Sequence, residues 1–227
     1  MPTIVFVSPK GGAGKTTSAL ILASQLAKKT RVTVIDADPN HPIASWSIGE
    51  NTPKNLTVVY DVTEETIADR IDEAAELTPF VIVDLEGTAS KIVVMAVSRA
   101  DFVIVPTQGS ELDAEQASKA LNVIRQHEKS MRRANAAYVL PYAVLLTRTN
   151  SAIRARTLVH IQKSLLDSGI PVFNSELNER EAFKAIFSFR QPLEFLDKKA
   201  VSNIDKAITN AQEFTTEVIE KLRSTVL

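Results

Sequence analysis

The chain has 227 residues and contains no cysteine. That absence excludes disulfides, thiolate metal sites and a cysteine nucleophile, and it is typical of an intracellular protein. Long hydrophobic runs are also missing, because none approaches the roughly 20 apolar residues that a membrane span requires. The sequence opens on a core strand pattern rather than a signal peptide, so we expect a cytoplasmic protein.

The net charge is only −1, a value that by itself indicates no role in nucleic-acid binding. Its distribution is uneven. Between positions 50 and 76, eight acidic residues stand against Lys54 and Arg70, whereas between positions 119 and 163 a single acid, Glu128, stands against a basic excess. The basic residues of that second segment are Lys119, Arg125, Lys129, Arg132, Arg133, Arg148, Arg154, Arg156 and Lys163. One balanced total therefore hides two oppositely charged segments.

The most informative stretch is the run PKGGAGKTT at residues 9–17. It follows the apolar run IVFV at residues 4–7 and precedes a helical pattern that includes Leu20, Leu22 and Leu26. A glycine-rich loop between a strand and a helix binds phosphate, because glycines let the backbone turn tightly and the helix N-terminus favours an anion. The predicted nucleotide-binding residues of this loop are Lys10, Gly11, Gly12, Ala13, Gly14, Lys15, Thr16 and Thr17.

Two chemical roles follow from the residue types at the end of the loop. Lys15 can reach the β- and γ-phosphates as a point charge, which makes it a candidate catalytic residue. The Thr16 hydroxyl is placed to bind the Mg²⁺ that bridges these phosphates.

Two later strand patterns end in acidic residues. The run VTVI at 32–35 is followed by Asp36 and Asp38, and the run FVIV at 80–83 is followed by Asp84. The carboxyl ends of strands in an open α/β sheet are where ligands bind. Asp84 therefore has the form of a Walker B aspartate, which delivers a carboxylate to the Mg²⁺ shell. For Asp36, capping of the short helix that follows is an alternative role.

The loop departs from the standard motif at its start, where Pro9 replaces glycine and Lys10 supplies a second lysine. This form resembles the deviant Walker A motif of the ParA/MinD family of ATPases. The resemblance spans most of the chain and is strong at residues 9–17, 36–40 and 80–84. It implies ATP and Mg²⁺ as cofactors and a slow ATPase activity that a partner protein stimulates.

The resemblance also implies roles for individual residues. Lys10 would cross a dimer interface and contact the nucleotide held by the other subunit, so that ATP binding produces a homodimer. Asp38 would lie next to the attacking water as a catalytic residue. Asp36 would take a Mg²⁺-side or structural role, and Asp84 would complete the metal site.

The second switch of this chain departs from the family, which commonly has prolines after the Walker B aspartate. Here Asp84 is followed by Leu85, Glu86 and Gly87. Glu86 adds a charge near the phosphates and is interpreted either as a group that orients water or a partner or as a surface acid. The departure keeps open a nucleotide-gated scaffold with little turnover as an alternative function.

The alternation of strand and helix patterns predicts an α/β fold, doubly wound, with a mostly parallel sheet flanked by helices, in one P-loop ATPase domain spanning 1–227. The last short strand is predicted at 171–173, with a helix beginning at Asn178. Arg148 follows a strand at the ligand edge and is a candidate contact to the nucleotide base. Asn178 and Arg180 lie near the loop that borders adenine in the family.

The tail lacks bulky apolar and aromatic residues, so no membrane anchor is expected. Non-specific DNA binding through phosphates is the alternative that the basic segment favours, although its charges are also explained as ordinary solvated side chains. The candidate DNA-binding residues are Arg132, Arg133, Arg154 and Arg156.

We therefore expect a nucleoid-associated ATPase that partitions plasmid or chromosomal DNA or positions a cargo. Its partner would be a centromere-binding or cargo adaptor protein that stimulates hydrolysis. Residues 36–42, together with Trp46, also resemble a subgroup that includes the ParA-like protein of T-DNA transfer. Recruitment of a conjugation relaxosome is therefore an alternative function.

Overall fold

The computed structural model describes residues 1–9, 11–86, 91–109, 111–150 and 156–225. In these ranges strands and α-helices alternate along the chain. The strands are β1 Thr3–Phe6, β2 Val32–Ala37, β3 Leu56–Val59, β4 Phe80–Leu85, β5 Phe102–Thr107, β6 Tyr142–Thr149 and β7 Leu177–Asn178. The helices are α1 Lys15–Ala27, α2 Pro42–Ser47, α3 Ile67–Leu77, α4 Lys91–Val97, α5 Glu111–Met131, α6 Arg156–Asp167, α7 Glu181–Phe189 and α8 Ile204–Thr225, with a 3₁₀ turn at Leu193–Phe195.

The seven strands form one sheet in the order β3-β2-β4-β1-β5-β6-β7, and every strand pairing in the described part of the chain is parallel. The chain leaves β1 towards β2 on one side and later crosses from β4 to β5 on the other side. The order therefore reverses at β1, and the carboxyl end of β1 is where open α/β sheets bind ligands. The predicted doubly wound α/β fold is confirmed, with a sheet that is parallel throughout.

Both faces of the sheet are covered, which explains why the strands are apolar runs rather than alternating patterns. In β1, Ile4 and Phe6 face the core layer formed with α1, α2, α7 and α8. Val5 and the following Val7 face the opposite layer, formed with α3, α4, α5 and α6. The same alternation in β4 and β5 fixes the register of the central strands.

The far edge of the sheet differs from the prediction. Of residues 171–173, only Val172 forms an isolated bridge, to Val144. A proline cannot donate to a ladder, so Pro171 offers only its carbonyl, which accepts from the Val144 amide at 2.8 Å. The last strand is instead β7, so Asn178 ends a strand and the next helix begins three residues later, at Glu181.

The long helix α8 packs along the first core layer through an apolar stripe. Phe214 and Val218 are fully buried there, at spacings typical of one helix face. No helix in the ranges that the structure covers has the length and hydropathy of a membrane span.

Candidate nucleotide-binding site

The glycine-rich loop joins the carboxyl end of β1 to the first turn of α1. Gly12 and Gly14 have φ angles of 78° and 91°, a left-handed conformation that side chains disfavour. The carbonyl of Gly14 accepts the first helical hydrogen bond, from the Ser18 amide at 2.9 Å. The glycines therefore stand where the backbone requires them.

Two side chains from neighbouring strands hold the loop from outside. The buried Thr147 hydroxyl, in β6, donates to the carbonyl of Ala13 at 2.8 Å, and the Gln108 amide, just after β5, donates to the carbonyl of Gly12 at 2.9 Å. Sequence reasoning missed both residues. The signal that could have found them is a polar residue at the carboxyl end of a strand next to β1.

The loop borders a cavity of about 360 Å³, within the usual range for ligand sites. Most of the residues predicted for the phosphate end converge on it. Its lining consists of Pro9, Gly11, Gly12, Gly14, Lys15, Thr16, Thr17, Asp38, Asn40, Glu86 and Arg148. The structure thus brings the loop, the first switch, the second switch and the end of β6 to one place.

Lys15 supplies a buried cation to this cavity. The residue is only 7% exposed. Burial lowers the pKa of its ammonium group, and the carboxylates of Asp84, Asp38 and Glu86 act in the opposite direction. An additional anion next to Lys15 would favour its charged form further.

Asp84 is a fully buried carboxylate on β4. Neither of its oxygens makes a hydrogen bond of ordinary geometry within the described residues. Burial raises the pKa of Asp84 to about 7, the neighbouring Thr16 hydroxyl lowers it, and the nearby Asp36 raises it again. Such a group is costly unless a ligand completes its environment.

Asp36 lies directly across from Asp84 in the pairing of β2 with β4. One carboxylate oxygen accepts from the amides of Ile43 and Ala44, at 2.9 and 2.8 Å, at the start of α2. The capping alternative raised from the sequence is therefore what this oxygen does. The other oxygen has no partner among the residues that the structure describes, and burial raises the pKa of the group.

This donor set fits Mg²⁺. The ion prefers oxygen ligands and is usually held by one or two carboxylates together with phosphate oxygens and water. The buried carboxylate of Asp84 lies next to the Thr16 hydroxyl, and Asp36 lies across from Asp84 with one carboxylate oxygen unpartnered in the described ranges. Within the described ranges no group of three or more His, Cys, Asp or Glu residues forms a metal site by itself, so phosphate oxygens would have to complete the shell.

Asp38 lies on the solvent side of the cavity and is partly exposed. Its Oδ1 accepts from the backbone amide of Asn40 at 2.8 Å and from the Asn40 side chain at 3.1 Å. These bonds hold the carboxylate at the mouth of the phosphate cavity. Lys10, which the resemblance assigns to the same end, lies outside the described residues, as does Gly87.

A second, adjoining pocket extends from the loop towards the far edge of the sheet. Arg148 lines both cavities, in a left-handed conformation with φ 53°, at an irregularity in the pairing of β6 with β7. Asn178 lines the second pocket, and its side-chain amide donates to the Thr149 hydroxyl at 2.9 Å. Arg180 donates to the Asn178 side-chain oxygen at 3.0 Å. Asn178 and Arg180 thus form one wall of the second pocket.

The three candidate DNA-binding arginines that the structure describes lie in two different places. Arg132 and Arg133 follow the end of α5, whereas Arg156 begins α6 at the nucleotide edge. A helix of 21 residues is about 30 Å long, so Arg132 and Arg133 lie near one end of the sheet and Arg156 near the other. Arg132 also donates to the Tyr138 carbonyl at 2.8 Å. Arg154 lies outside the described residues.

A glycine-rich loop after the central strand, a buried lysine and two strand-end aspartates define a P-loop ATPase of the ParA/MinD class. The predicted resemblance is confirmed at the level of the family. Residues 1–225 match the family described as VirC1 protein, and the chain belongs to that family.

Individual relatives agree with this assignment. A protein named ParA from Rhizobium radiobacter is 37% identical over 223 residues, covering 98% of each chain. A maintenance of carboxysome distribution protein A from Gloeobacter kilaueensis is 33% identical over 81% of this chain and 79% of its own. A solved plasmid partition protein from Borrelia burgdorferi, bound to AMPPNP, shares the fold, with TM-score 0.68, 18% identity and coverage of 95% of this chain and 99% of that chain.

Proposed function

We propose that this chain is a ParA-type ATPase that binds ATP with Mg²⁺, dimerises around the nucleotide and hydrolyses it in order to partition DNA or position a cargo. One observation carries the proposal: Lys15, which lines the phosphate cavity, lies near the buried carboxylate of Asp84, whose oxygens lack well-formed hydrogen bonds in the described ranges. A triphosphate and a divalent cation supply the charges that this arrangement lacks. The names of the relatives, ParA and carboxysome distribution protein, support a partition or positioning role.

The proposal assigns each of these residues a role in ATP hydrolysis. Phosphoryl transfer to water requires positioning and charge neutralisation. Lys15 and the loop amides would neutralise the β- and γ-oxygens, while Asp38 would orient the attacking water. Thr16, Asp84 and Asp36 would hold Mg²⁺, which would supply positive charge to neutralise the phosphates. Lys10 of one subunit would reach the nucleotide of the other, so the site would be complete only in a dimer.

The proposal includes non-specific DNA binding by the ATP-bound dimer. The test is binding of a random-sequence duplex with ATP-Mg²⁺, with ADP-Mg²⁺ and without nucleotide, at two salt concentrations. We expect tight binding that weakens steeply with salt in the ATP state alone, because phosphate contacts release counterions. Absence of binding in all three states would refute the DNA-binding part and favour a factor that recruits a protein partner.

The two arginine groups can be separated in the same assay. Arg132→Ala with Arg133→Ala tests the end of α5, and Arg154→Ala with Arg156→Ala tests the second pair of candidates. A matched control is Arg70→Ala, in the acidic segment, where Arg70 pairs with Glu73 at 3.0 Å. The pair that contacts DNA should weaken binding and reduce its salt dependence, while the control leaves both unchanged.

Membership in the VirC1 family favours a second candidate function, recruitment of a conjugation relaxosome to the cell pole. A fluorescent fusion distinguishes the two. Distribution over the nucleoid supports partition or positioning, whereas a polar focus that requires a relaxase supports recruitment. Phosphate release with and without the partner then tests turnover, because a scaffold would bind ATP and dimerise with little hydrolysis.

A further inference from the structure

The wall of the second pocket is held by the C-terminal helix. Residues 174–178 follow the isolated bridge at Val172 and include β7. The amides of Asn174 and Ser175 donate to the two carboxylate oxygens of Glu217, at 2.8 and 2.7 Å. One side chain of α8 thus binds two successive amides of this segment.

A second side chain of α8 binds the next part of the same segment. The Asn178 amide donates to Oδ1 of Asn210 at 3.1 Å. The side-chain amide of Asn210 donates in turn to the carbonyl of Glu176 at 2.7 Å. Both hydrogen-bonding groups of the Asn210 side chain are therefore used on the segment that leads into the pocket wall.

These two side chains are unusual for a helix that packs on a sheet. Asn210 and Glu217 are 5% and 9% exposed, on the stripe that otherwise holds apolar residues such as Ala211 and Phe214. They are seven residues apart, which is two helical turns and places them on one face. An apolar residue would pack the helix equally well, and burying a polar group is costly unless it is bonded. Their specific effect is on the backbone of residues 174–178.

The held segment ends in the pocket. Leu177, Asn178 and Glu179 line it together with Thr17 of the first turn of α1 and Arg148. Asn178 is fixed on three sides: its amide by Asn210, its side-chain amide by Thr149 and its side-chain oxygen by Arg180. A shift of the segment relative to α8 would move this wall away from the loop.

We propose that Asn210 and Glu217 are positioning residues for the nucleotide pocket. They do not contact the nucleotide themselves; they hold the backbone of residues 174–178, which forms the wall of the pocket at the nucleotide base. The inference rests on the proposed function, because it assigns the second pocket to the base or ribose of the nucleotide. It predicts that changes in α8 alter the affinity for the nucleoside part of ATP and do not alter the affinity for its phosphates.

The test compares two ligands on purified full-length protein, ATP and inorganic tripolyphosphate, the second of which has the phosphates without the nucleoside. Asn210→Ala and Glu217→Gln should weaken ATP binding about tenfold and change tripolyphosphate binding less than twofold, since hydrogen bonds that hold the wall are lost. The matched control is Thr215→Val, on the same helix, because Thr215 is 7% exposed and its hydroxyl donates within the helix to the Ala211 carbonyl at 2.8 Å. The control should leave both affinities unchanged.

Equal weakening for both ligands, or no weakening for ATP, would overturn the inference. If wild-type protein binds neither ligand, the proposed function fails instead, so the two failures are distinguishable. Hydrogen exchange on the wild-type protein gives a readout that does not depend on a variant folding. Without nucleotide, the amides of Asn174, Ser175 and Asn178 should already exchange slowly, and exchange as fast as in an exposed loop would refute the role of α8.

Discussion

The buried carboxylates of Asp84 and Glu217 differ in their hydrogen bonding. Asp84 belongs to the phosphate end of the proposed nucleotide pocket, and Glu217 supports the base end. Asp84, at the phosphate end, is fully buried without a well-formed hydrogen bond in the described ranges, and burial raises its pKa to about 7. Burial alone would also raise the pKa of Glu217, but the amides of Ser175 and Asn174 and the nearby Lys221 outweigh it and hold this pKa below its usual value. In the described ranges Asp84 has only the poorly aligned Thr16 hydroxyl beside it, whereas Glu217 accepts from two backbone amides.

The difference distinguishes a carboxylate whose missing interactions a ligand would supply from a carboxylate that stabilises the free protein. A buried charge without partners costs stability, so it persists where another molecule supplies the missing interactions. A buried carboxylate that accepts two backbone amides already contributes to stability in the free protein. The four experiments below test this contrast, from the largest expected effect to the smallest.

The strongest test removes the cation at the phosphate end. Lys15→Ala should weaken ATP binding by at least about 100-fold, because truncating one partner of a buried charge pair costs several kcal/mol. Isothermal titration calorimetry measures the change. Lys28→Ala is the control, since Lys28 is an exposed lysine that pairs with Glu194 away from the pocket. Affinity of Lys15→Ala within fivefold of wild type would mean that the phosphates bind elsewhere.

The second test removes the charge of Asp84. The pKa of Asp84 is raised in the folded state, from 3.8 to about 7, so the folded protein binds more protons than the unfolded chain between these values and stability falls as pH rises through them. Asp84→Asn should therefore stabilise the nucleotide-free protein at pH 8, by about 1–3 kcal/mol, and raise its Tm by several degrees.

The gain from Asp84→Asn should vanish below about pH 4, where the carboxyl is protonated in both states. ATP-Mg²⁺ should raise the Tm of wild type but much less that of the variant, because the metal loses a charged ligand. Differential scanning calorimetry at pH 4, 6 and 8 measures the Tm gain of the variant, its loss in acid and the Tm increase that ATP-Mg²⁺ produces. A variant less stable than wild type at pH 8 would contradict the view that this carboxylate is unsatisfied before the ligand binds.

The third test perturbs the carboxylate of Glu217. Its pKa is lowered in the folded state, so its contribution is present above the unfolded pKa of about 4.5 and is lost as pH falls through the folded value. Glu217→Gln should lower the free energy of unfolding at pH 7 by about 1–2 kcal/mol, since an amide nitrogen cannot accept from a backbone N–H. Urea unfolding at pH 7 and pH 3 should show a difference that shrinks in acid. A constant difference would mean that the ionised form is not what α8 uses.

The phosphate end of the proposed pocket could largely be predicted from the sequence, whereas the base end could not. The phosphate end is encoded locally, because a strand, a glycine-rich run and a helix follow each other within residues 4–27. Asp36 and Asp84 end short apolar runs, and parallel strands bring such ends to one edge. The fold followed from the same alternation of patterns.

The base end is assembled from distant parts of the chain. Asn210 contacts Asn178 across 32 positions and Asn178 contacts Thr149 across 29, and neither pair shows a periodic signal. The two-residue strand β7 is too short to produce a pattern, which is why the strand was predicted at 171–173 instead. Separation of Arg132 from Arg156 could have been expected, because the 21-residue α5 carries the chain to the other end of the sheet.

The last test concerns backbone strain at the boundary of the two ends. Arg148 and Arg190 share a left-handed conformation, with φ of 53° and 49°, which costs an ordinary residue about 1–2 kcal/mol. Arg148 lines both pockets, whereas Arg190 ends α7 and lines neither. Replacement by glycine relieves the strain at either position but increases the entropy of the unfolded chain.

Arg148→Gly and Arg190→Gly should therefore stabilise the protein by similar amounts, about 0.5–1 kcal/mol each. Only Arg148→Gly should weaken ATP binding, by about threefold to tenfold, because it removes a cation from the pocket. Thermal unfolding and calorimetric titration of both variants give the comparison. Equal affinities would show that the strain at Arg148 serves the pairing of β6 with β7 rather than the nucleotide, and a larger loss of stability at position 148 would show that its side chain holds the wall.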